Sequence, residues 1–238
     1  MQRYFYETHL HTIQSSKCGK VDAAEMVRLY KDAGYTGVVI TDHFIGGNTA
    51  IDRSLPWEEW VTQFCRSYEI AKEEGDKIGL QVFFGWESGF KGTEFLIYGL
   101  DKQWLLDHPQ IRDCTIQEQY ELVSADGGLV IHAHPYRIRS YHRDIHLYPD
   151  CIDAVESVNG AHSSSVIEAT PQDLRANRLA EIYSKEYCFP VTSGSDQHSS
   201  NLYYGGMAFS RKMEDIHDLI RAIRLGEAVA LLNGPETM

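Results

Sequence analysis

The sequence predicts an α/β fold with a largely parallel sheet and its chemistry gathered at one edge. Three observations predict it. Strand-like apolar runs alternate with amphipathic helical stretches along the chain. Capping residues and glycines punctuate that alternation where helices should start and stop. Strand after strand ends in His, Glu or Asp, which a parallel arrangement brings to one end. Seven or so such units can close into a barrel whose loops after the strands do the chemistry. With 238 residues, 43% of them apolar, the core is substantial. No linker or internal repeat interrupts the pattern, so one domain over residues 1–238 is expected.

The first strand is Tyr4 to Leu10, rich in aromatic and β-branched residues. Side chains at i and i+2 share a strand face, so His9 and His11 point the same way, half of a metal site. The plain alternative is two polar residues leaving a strand for solvent, and only the other strand ends can decide. Asp22 and Glu25 have capping-box spacing, Ala24, Val27, Leu29 and Tyr30 give the helix an apolar face, and Gly34 ends it. Val38 to Thr41 is a buried strand running into Asp42-His43. After the Gly46-Gly47-Asn48 loop, Trp57, Trp60, Val61, Phe64, Tyr68 and Ala71 predict a long helix that Gly75 closes. Its aromatics read as core rather than as a cofactor platform.

Leu80 to Trp86 delivers Glu87, and Phe95 to Tyr98 follows with no room for a helix, a local irregularity in the alternation. Thr115 and Glu118 box the start of another helix, which Gly127-Gly128 ends. Leu129 to Ile131 leads into His132-Ala133-His134-Pro135, where the i, i+2 rule pairs His132 with His134. Ile152 to Val158 ends at Asn159-Gly160. A helix around Leu174 to Tyr187 precedes a seventh strand, Pro190 to Thr192, which ends in Gly194-Ser195-Asp196-Gln197-His198. Met213, Ile216, Ile220 and Ile223 mark a last amphipathic helix.

Composition narrows the function classes. The formal charge is −12, and the basic residues near one another are Arg137, Arg139 and Arg143, so a long nucleic acid is not an expected partner. No apolar run is long enough for a membrane span, and no signal-peptide pattern opens the chain. The five cysteines, Cys18, Cys65, Cys114, Cys151 and Cys188, are scattered without a C-x-x-C pair, which predicts reduced thiols and a cytoplasmic protein.

His9 and His11, His43, Glu87, His134, and Asp196 with His198 would thus converge from five distant segments. One or two such strand ends are coincidence; five point to a metal centre. Mixed imidazole and carboxylate ligands suit zinc, manganese or iron.

The stretches His9-Leu10-His11-Thr12, Thr41-Asp42-His43, Gly85-Trp86-Glu87, Ala133-His134-Pro135 and Gly194-Ser195-Asp196-x-His198 resemble, in order, the motifs of the PHP family, the polymerase and histidinol phosphatase domains. The resemblance runs from residue 4 to beyond 200 and is nearest the free-standing phosphoesterase type. It implies a distorted seven-stranded (β/α) barrel with two or three divalent metals at its C-terminal face. His9, His11, Glu87 and Asp196 would hold the first metal, Glu87 would bridge to a second held also by His134, and His43 and His198 would hold a third. Catalysis would rest on Asp196, Glu87 and His198, with a water or hydroxide between the metals as nucleophile. The implied reaction is hydrolysis of a small phosphorylated metabolite or nucleotide.

Two departures from the family pattern stand out. Cys18 occupies the place of an Asp or His ligand, and it is either a thiolate ligand or a buried thiol. Leu96 stands where related phosphoesterases carry a His, so the second metal would be completed by His132, by water, or not at all. Arg137 is placed to grip a phosphate bidentately, or is an ordinary surface arginine. Asn159 and His162 end a strand at the same face as candidate substrate contacts, and Asp42 would orient His43. His108, His142, His146 and His217 receive no role. Two rival readings remain: a metallohydrolase of C–N bonds, and a degenerate barrel kept for binding. Substrate choice would lie in loops 44–56, 136–150 and 197–206.

Overall fold

The computed structural model describes residues 2–139 and 144–238, so His142 and Arg143 lie outside the described residues. Among these, nine strands form one sheet. They are β1 (Tyr4–Leu10), β2 (Gly37–Ile40), β3 (Gln81–Phe90), β4 (Thr93–Tyr98), β5 (Leu129–Ala133), β6 (Ala154–Asn159), β7 (Val191–Gly194), β8 (Gly205–Phe209) and β9 (Ala230–Asn233). The α-helices are α1 (Ala23–Asp32), α2 (Trp57–Phe64), α3 (Arg66–Ile78), α4 (Lys102–Asp107), α5 (Ile116–Ala125), α6 (Gly160–Ser163), α7 (Pro171–Glu186) and α8 (Ile216–Arg224). The strand order is β7-β6-β5-β4-β3-β2-β1-β8-β9. The sheet curls into a nearly closed barrel. At its C-terminal mouth the His11 N–H donates to the Gln197 carbonyl (2.8 Å) and the Gln197 N–H to the His9 carbonyl (3.2 Å), joining the end of β1 to the chain beyond β7.

Seven parallel strands were expected, and the sheet is longer and mixed. β1, β2 and β3 are parallel, as are β5, β6 and β7, but β4 runs antiparallel to both its neighbours. It follows β3 through a two-residue turn in which Lys91 (φ 52°) and Gly92 (φ 95°) both take positive φ, the geometry that suits a tight hairpin. β8 and β9 add two antiparallel strands beyond β1. They are short, and β8 opens on Gly205-Gly206, which weakens any strand signal.

Tyr6, Val39, Leu96, Tyr98, Ile131 and Met207, from five strands, meet in one interior cluster that α8 caps with Leu219, Ile220 and Ile223. Outside the barrel, Phe44, Trp60, Phe64 and Trp86 form an aromatic core, as the helical spacing implied. The long helix breaks at Cys65 into α2 and α3. Gly75 does not close it. That glycine lies inside α3, where a Cβ would come 2.5 Å from the Val82 side chain, and Gly79 (φ 73°) is the true cap.

A bulge in β1 sets up the mouth of the barrel. Its pairing with β2 slips between Glu7 and Leu10, and Phe5 and Leu10, of opposite parity, pack on the same outer cluster. The slip leaves backbone N–H groups of β1 without ladder partners, and the fully buried Glu7 supplies them. Its Oε1 accepts from the N–H groups of Thr8, His9 and Ser195, each at 2.9 Å, and its Oε2 from the Tyr30 hydroxyl at 2.9 Å. Burial raises the carboxyl pKa, and these donors act against the rise.

Glu7→Ala would leave three buried N–H groups unpaired, each costing about 1–3 kcal/mol. It is expected to lower stability by about 3 kcal/mol or more, read as a lower urea midpoint at unchanged slope. Glu7→Gln, whose amide oxygen can still accept, should lose less. An Ala variant as stable as wild type would show that Glu7 is not the clasp.

Candidate metal centre

Each candidate ligand reaches the barrel mouth by a local device. The β1 bulge turns His9 and His11 to the Tyr6 side of the strand, inside the barrel. The β2–β3 ladder resumes past Ile40, with the Glu87 N–H on the Asp42 carbonyl (3.0 Å) and the Phe44 N–H on the Glu87 carbonyl (2.8 Å), which sets His43 beside Glu87. His134 (φ 29°) and Asp196 (φ 54°) take left-handed backbone, each at a cost of order 1–3 kcal/mol, and both turn their side chains to the centre.

Glu87 is the hub. Its Oε1 lies 3.1 Å from His134 Nε2 and 3.3 Å from His9 Nε2, and its Oε2 lies 2.7 Å from His43 Nδ1. His11 Nε2 is 3.1 Å from Asp196 Oδ1 and 3.2 Å from His9 Nε2. Ligand-type atoms within 4.8 Å of one another form four overlapping groups: His9, His11 and Asp196; His9, Glu87 and His134; His43, Glu87 and Glu94; and His11, Cys18, His43 and His198. Every sequence-predicted metal residue except His132 is in them.

Three imidazoles have the nitrogen away from the centre tied down. His9 Nδ1 meets Glu156 Oε1 at 2.8 Å, His11 Nδ1 meets Ser16 Oγ at 3.2 Å, and His198 Nδ1 donates to the Asp196 carbonyl at 2.6 Å. A proton on each of these atoms leaves the Nε2 lone pair facing inward, as metal-bound histidines require. A second sign is the pair His43 Nδ1 and Glu87 Oε2. They are buried and close, yet lack the alignment of a hydrogen bond, so two unsatisfied donor atoms face one space. The donor set fits divalent metals.

Charge supports the fit. Burial raises the Glu87 pKa, but His43 and His9 beside it and the hydrogen bond from His134 hold it well below the ordinary range. Burial opposes the charged form of His9, and the carboxylates of Glu156, Asp196 and Glu87 outweigh it and raise its pKa. Burial also raises Glu94, with the nearby Glu87 adding to the effect. For Cys18, burial pushes the thiol up, but hydrogen bonds with His198 and His43 bring it down to about 6. A cation bound among such groups replaces their protons.

Some expectations are corrected. His132 does not share a face with His134. β5 alternates Ile131 and Ala133 inward, so His132 faces outward, stacked on Phe95 at 5.0 Å, and the positive φ of His134 reverses the alternation. Burial lowers the His132 pKa to about 3. Asn159 is fully buried and donates to Glu156 Oε2 (2.9 Å) rather than reaching the cavity. His162 is buried as well, against Arg139. Asp42 accepts from Ser16 Oγ (2.6 Å) and from Thr12, so through Ser16 it orients His11 as well as His43, whose N–H donates to Ser16 Oγ at 2.9 Å.

Two residues were missed. Glu94 stands beside His43 and His134, at 3.7 Å from each, on the strand face of Leu96, and it supplies a donor where Leu96 cannot. Glu156 holds His9 and accepts the His134 N–H at 3.1 Å. A glutamate inside the apolar run Ala154-Val155-Glu156-Ser157-Val158 was the available signal. Arg137 pairs with Asp196 Oδ2 (3.0 Å) and with Glu94, at the edge of a cavity of about 780 Å³ that Cys18, His43, Asp196 and His198 also line.

No family model and no curated protein matches this sequence. Solved structures do. A two-domain protein from Bacteroides vulgatus, described as containing a predicted PHP-like metal-dependent phosphoesterase, aligns at TM-score 0.67 and 15% identity over 95% of this chain and 64% of that one. The fold is PHP-like. A second solved structure, described as a candidate metal-dependent phosphoesterase from Bifidobacterium adolescentis, aligns at TM-score 0.55 and 15% identity over 93% of this chain and 96% of its own. This chain therefore spans just under two thirds of the Bacteroides protein.

Two substitutions test the assembly of this centre by metal analysis. His132→Phe should leave bound metal unchanged, since the ring packs among Phe95, Tyr148 and Tyr183, away from the centre. Gly194→Ala should deplete it, because the new Cβ would come 2.4 Å from His9 Cβ and 2.7 Å from Glu156 Oε1. The opposite pattern would remove His9 from the centre and put His132 in it.

Proposed function

We propose that the chain is a metal-dependent phosphoesterase acting on a small phosphorylated metabolite or nucleotide. The observation that carries this reading is the convergence of imidazole and carboxylate donors, with His43 Nδ1 and Glu87 Oε2 unsatisfied, at the floor of a cavity with a cationic rim. The first metal position would be held by His9, His11 and Asp196, the second by Glu87, His134 and Glu94, and the third by His43 and His198. Zinc, manganese and iron are the metals this donor set suits. Bound there, such metals would lower the pKa of a water and offset the charge that builds on the phosphoryl oxygens.

The residues of the chain do the rest. Glu156 and Ser16 fix two imidazoles, so the donors are placed before substrate arrives. Arg137 sits at the rim, its side chain 15% exposed, where its planar fork would take phosphoryl oxygens. Lys91 and Arg139 line the same cavity, a cationic wall in a chain of net charge −12. That wall favours an anionic substrate over the neutral amide of a C–N hydrolase. The volume of about 780 Å³ suits a ligand of metabolite or nucleotide size.

The test is a panel of phosphomonoesters, phosphodiesters and cyclic amides, run on chelator-stripped protein reloaded with manganese, zinc or iron. Phosphoester hydrolysis should return on reloading, and Asp196→Asn should abolish it without unfolding the protein. Amide hydrolysis alone would sink the proposal. Arg137→Ala should lower kcat/KM by one to two powers of ten, the roughly 1.5–3 kcal/mol of a charge-assisted contact, with metal content unchanged. Unchanged kinetics would leave Arg137 as an ion-pair partner of Glu94 and Asp196 without a role in substrate binding.

A further inference from the structure

The loop that carries Cys18 is fastened on both sides to the loops that carry His43 and His198. The Lys17 N–H donates to the Asn48 carbonyl (3.0 Å), and the Lys20 N–H to the His198 carbonyl (2.8 Å). The residue after Cys18 is Gly19, where a Cβ would lie 2.3 Å from the Thr12 carbonyl oxygen, so the chain folds back tightly at this point. The thiol is thus held in place rather than carried on a free loop. It lines the cavity, and its sulfur lies within 4.8 Å of donor atoms of His11, His43 and His198. Tetrahedral zinc with Zn–S near 2.3 Å and Zn–N near 2.05 Å sets ligand atoms roughly 3.3–3.6 Å apart, inside that limit.

His11 is already engaged by His9 and Asp196. Cys18, His43 and His198 all line the cavity, which His11 does not, and would supply three protein donors there. His43, 6% exposed, has its Nδ1 turned to Glu87 Oε2 at 2.7 Å, and His198 has its Nδ1 committed to the Asp196 carbonyl. Among the ligand groups of the described residues, this is the one without a carboxylate. Glu87, Glu94 and Asp196 belong to the other groups, and His43 is shared with the group of Glu87 and Glu94.

We infer that Cys18 is a thiolate ligand that makes the His43–His198 position selective for zinc, beside oxygen-rich positions that accept manganese or iron. Thiolates select zinc and copper(I) among the common metals, whereas manganese prefers oxygen donors. The centre would then be mixed, its metals sorted by ligand chemistry rather than by supply alone. This assignment deepens the phosphoesterase reading by naming which position takes which metal.

Cobalt(II) tests it without reference to activity, because a cobalt–thiolate bond adds a near-ultraviolet charge-transfer absorption. Cobalt-loaded wild type should show that band, and Cys18→Ser and Cys18→Asp should both lose it. Cys18→Ser should also lose one equivalent of zinc on dialysis against manganese, and Cys18→Asp should keep the metal equivalent but accept manganese. In case the variants fail to fold, thiol alkylation mapped by mass spectrometry serves on wild type. Zinc at ten times its Kd should slow modification of Cys18 by about tenfold, and manganese should not. No band in the wild type, a band that survives Cys18→Ser, or equal protection by manganese would overturn the inference. A cobalt–thiolate band in a protein that hydrolyses no phosphoester would sink the functional reading and leave this one standing.

Discussion

The carboxylate of Glu87 is fully buried, and the barrel mouth is built to carry its charge. An isolated carboxylate in such a place is strongly disfavoured and would take up a proton. Glu87 is instead ringed by His9, His43 and His134. Yet Glu94, Asp196 and Glu156 crowd the same few ångströms, and Arg137 is the one permanent cation paired into the cluster among the described residues. Four carboxylates against one guanidinium leave an excess of negative charge that imidazoles can meet only by holding protons. Divalent cations resolve the imbalance directly, which is why the electrostatics and the donor geometry point to the same ligands.

The supporting structure follows from that demand. Donors around a metal must stay within a few tenths of an ångström of fixed positions, so their backbones cannot be left to ordinary strand geometry. The β1 bulge, the left-handed His134 and Asp196, and the approach of Gly194 to His9 are departures from regular structure, and each lies at the mouth. Their cost is met by buried polar clasps. Glu7 serves the bulge and the Ser195 N–H together, and Glu156 serves His9, His134 and Asn159. The strain is local, and so is the compensation.

How much of this was legible follows from what each signal depends on. The strand-end ligands could be read because they belong to a repeating pattern: an apolar run, then His, Glu or Asp. The first seven strands and the helices α1, α5, α7 and α8 were legible for the same reason, through period and capping, whereas the short α4 and α6 were not expected. Glu94, Glu156 and Glu7 escaped because they sit inside runs that satisfy the strand pattern, and their importance lies in burial, which a single sequence does not display. His132 was misjudged because the i, i+2 rule assumes unbroken strand geometry, and one residue at positive φ ends it. The fate of Gly75 shows the same limit: a glycine needed for close packing on Val82 reads as a helix stop.

The cavity wall bears on substrate in a way the donors do not. The interior of the mouth is acidic, and its metals would be drawn by that charge, whereas Lys91, Arg137 and Arg139 stand at the rim. An arrangement meant only to hold cations has no need of cations at its entrance, since they repel what the carboxylates attract. Rim cations become useful when the ligand is an anion that must pass them to reach the metals. Arg137 pairs with Glu94 and Asp196. If metals shared those carboxylates, each oxygen would have less negative charge to offer the guanidinium, and under the proposed function a phosphoryl group would become the better partner. Metal loading and anion capture would therefore reinforce each other through Arg137, with no change in the fold.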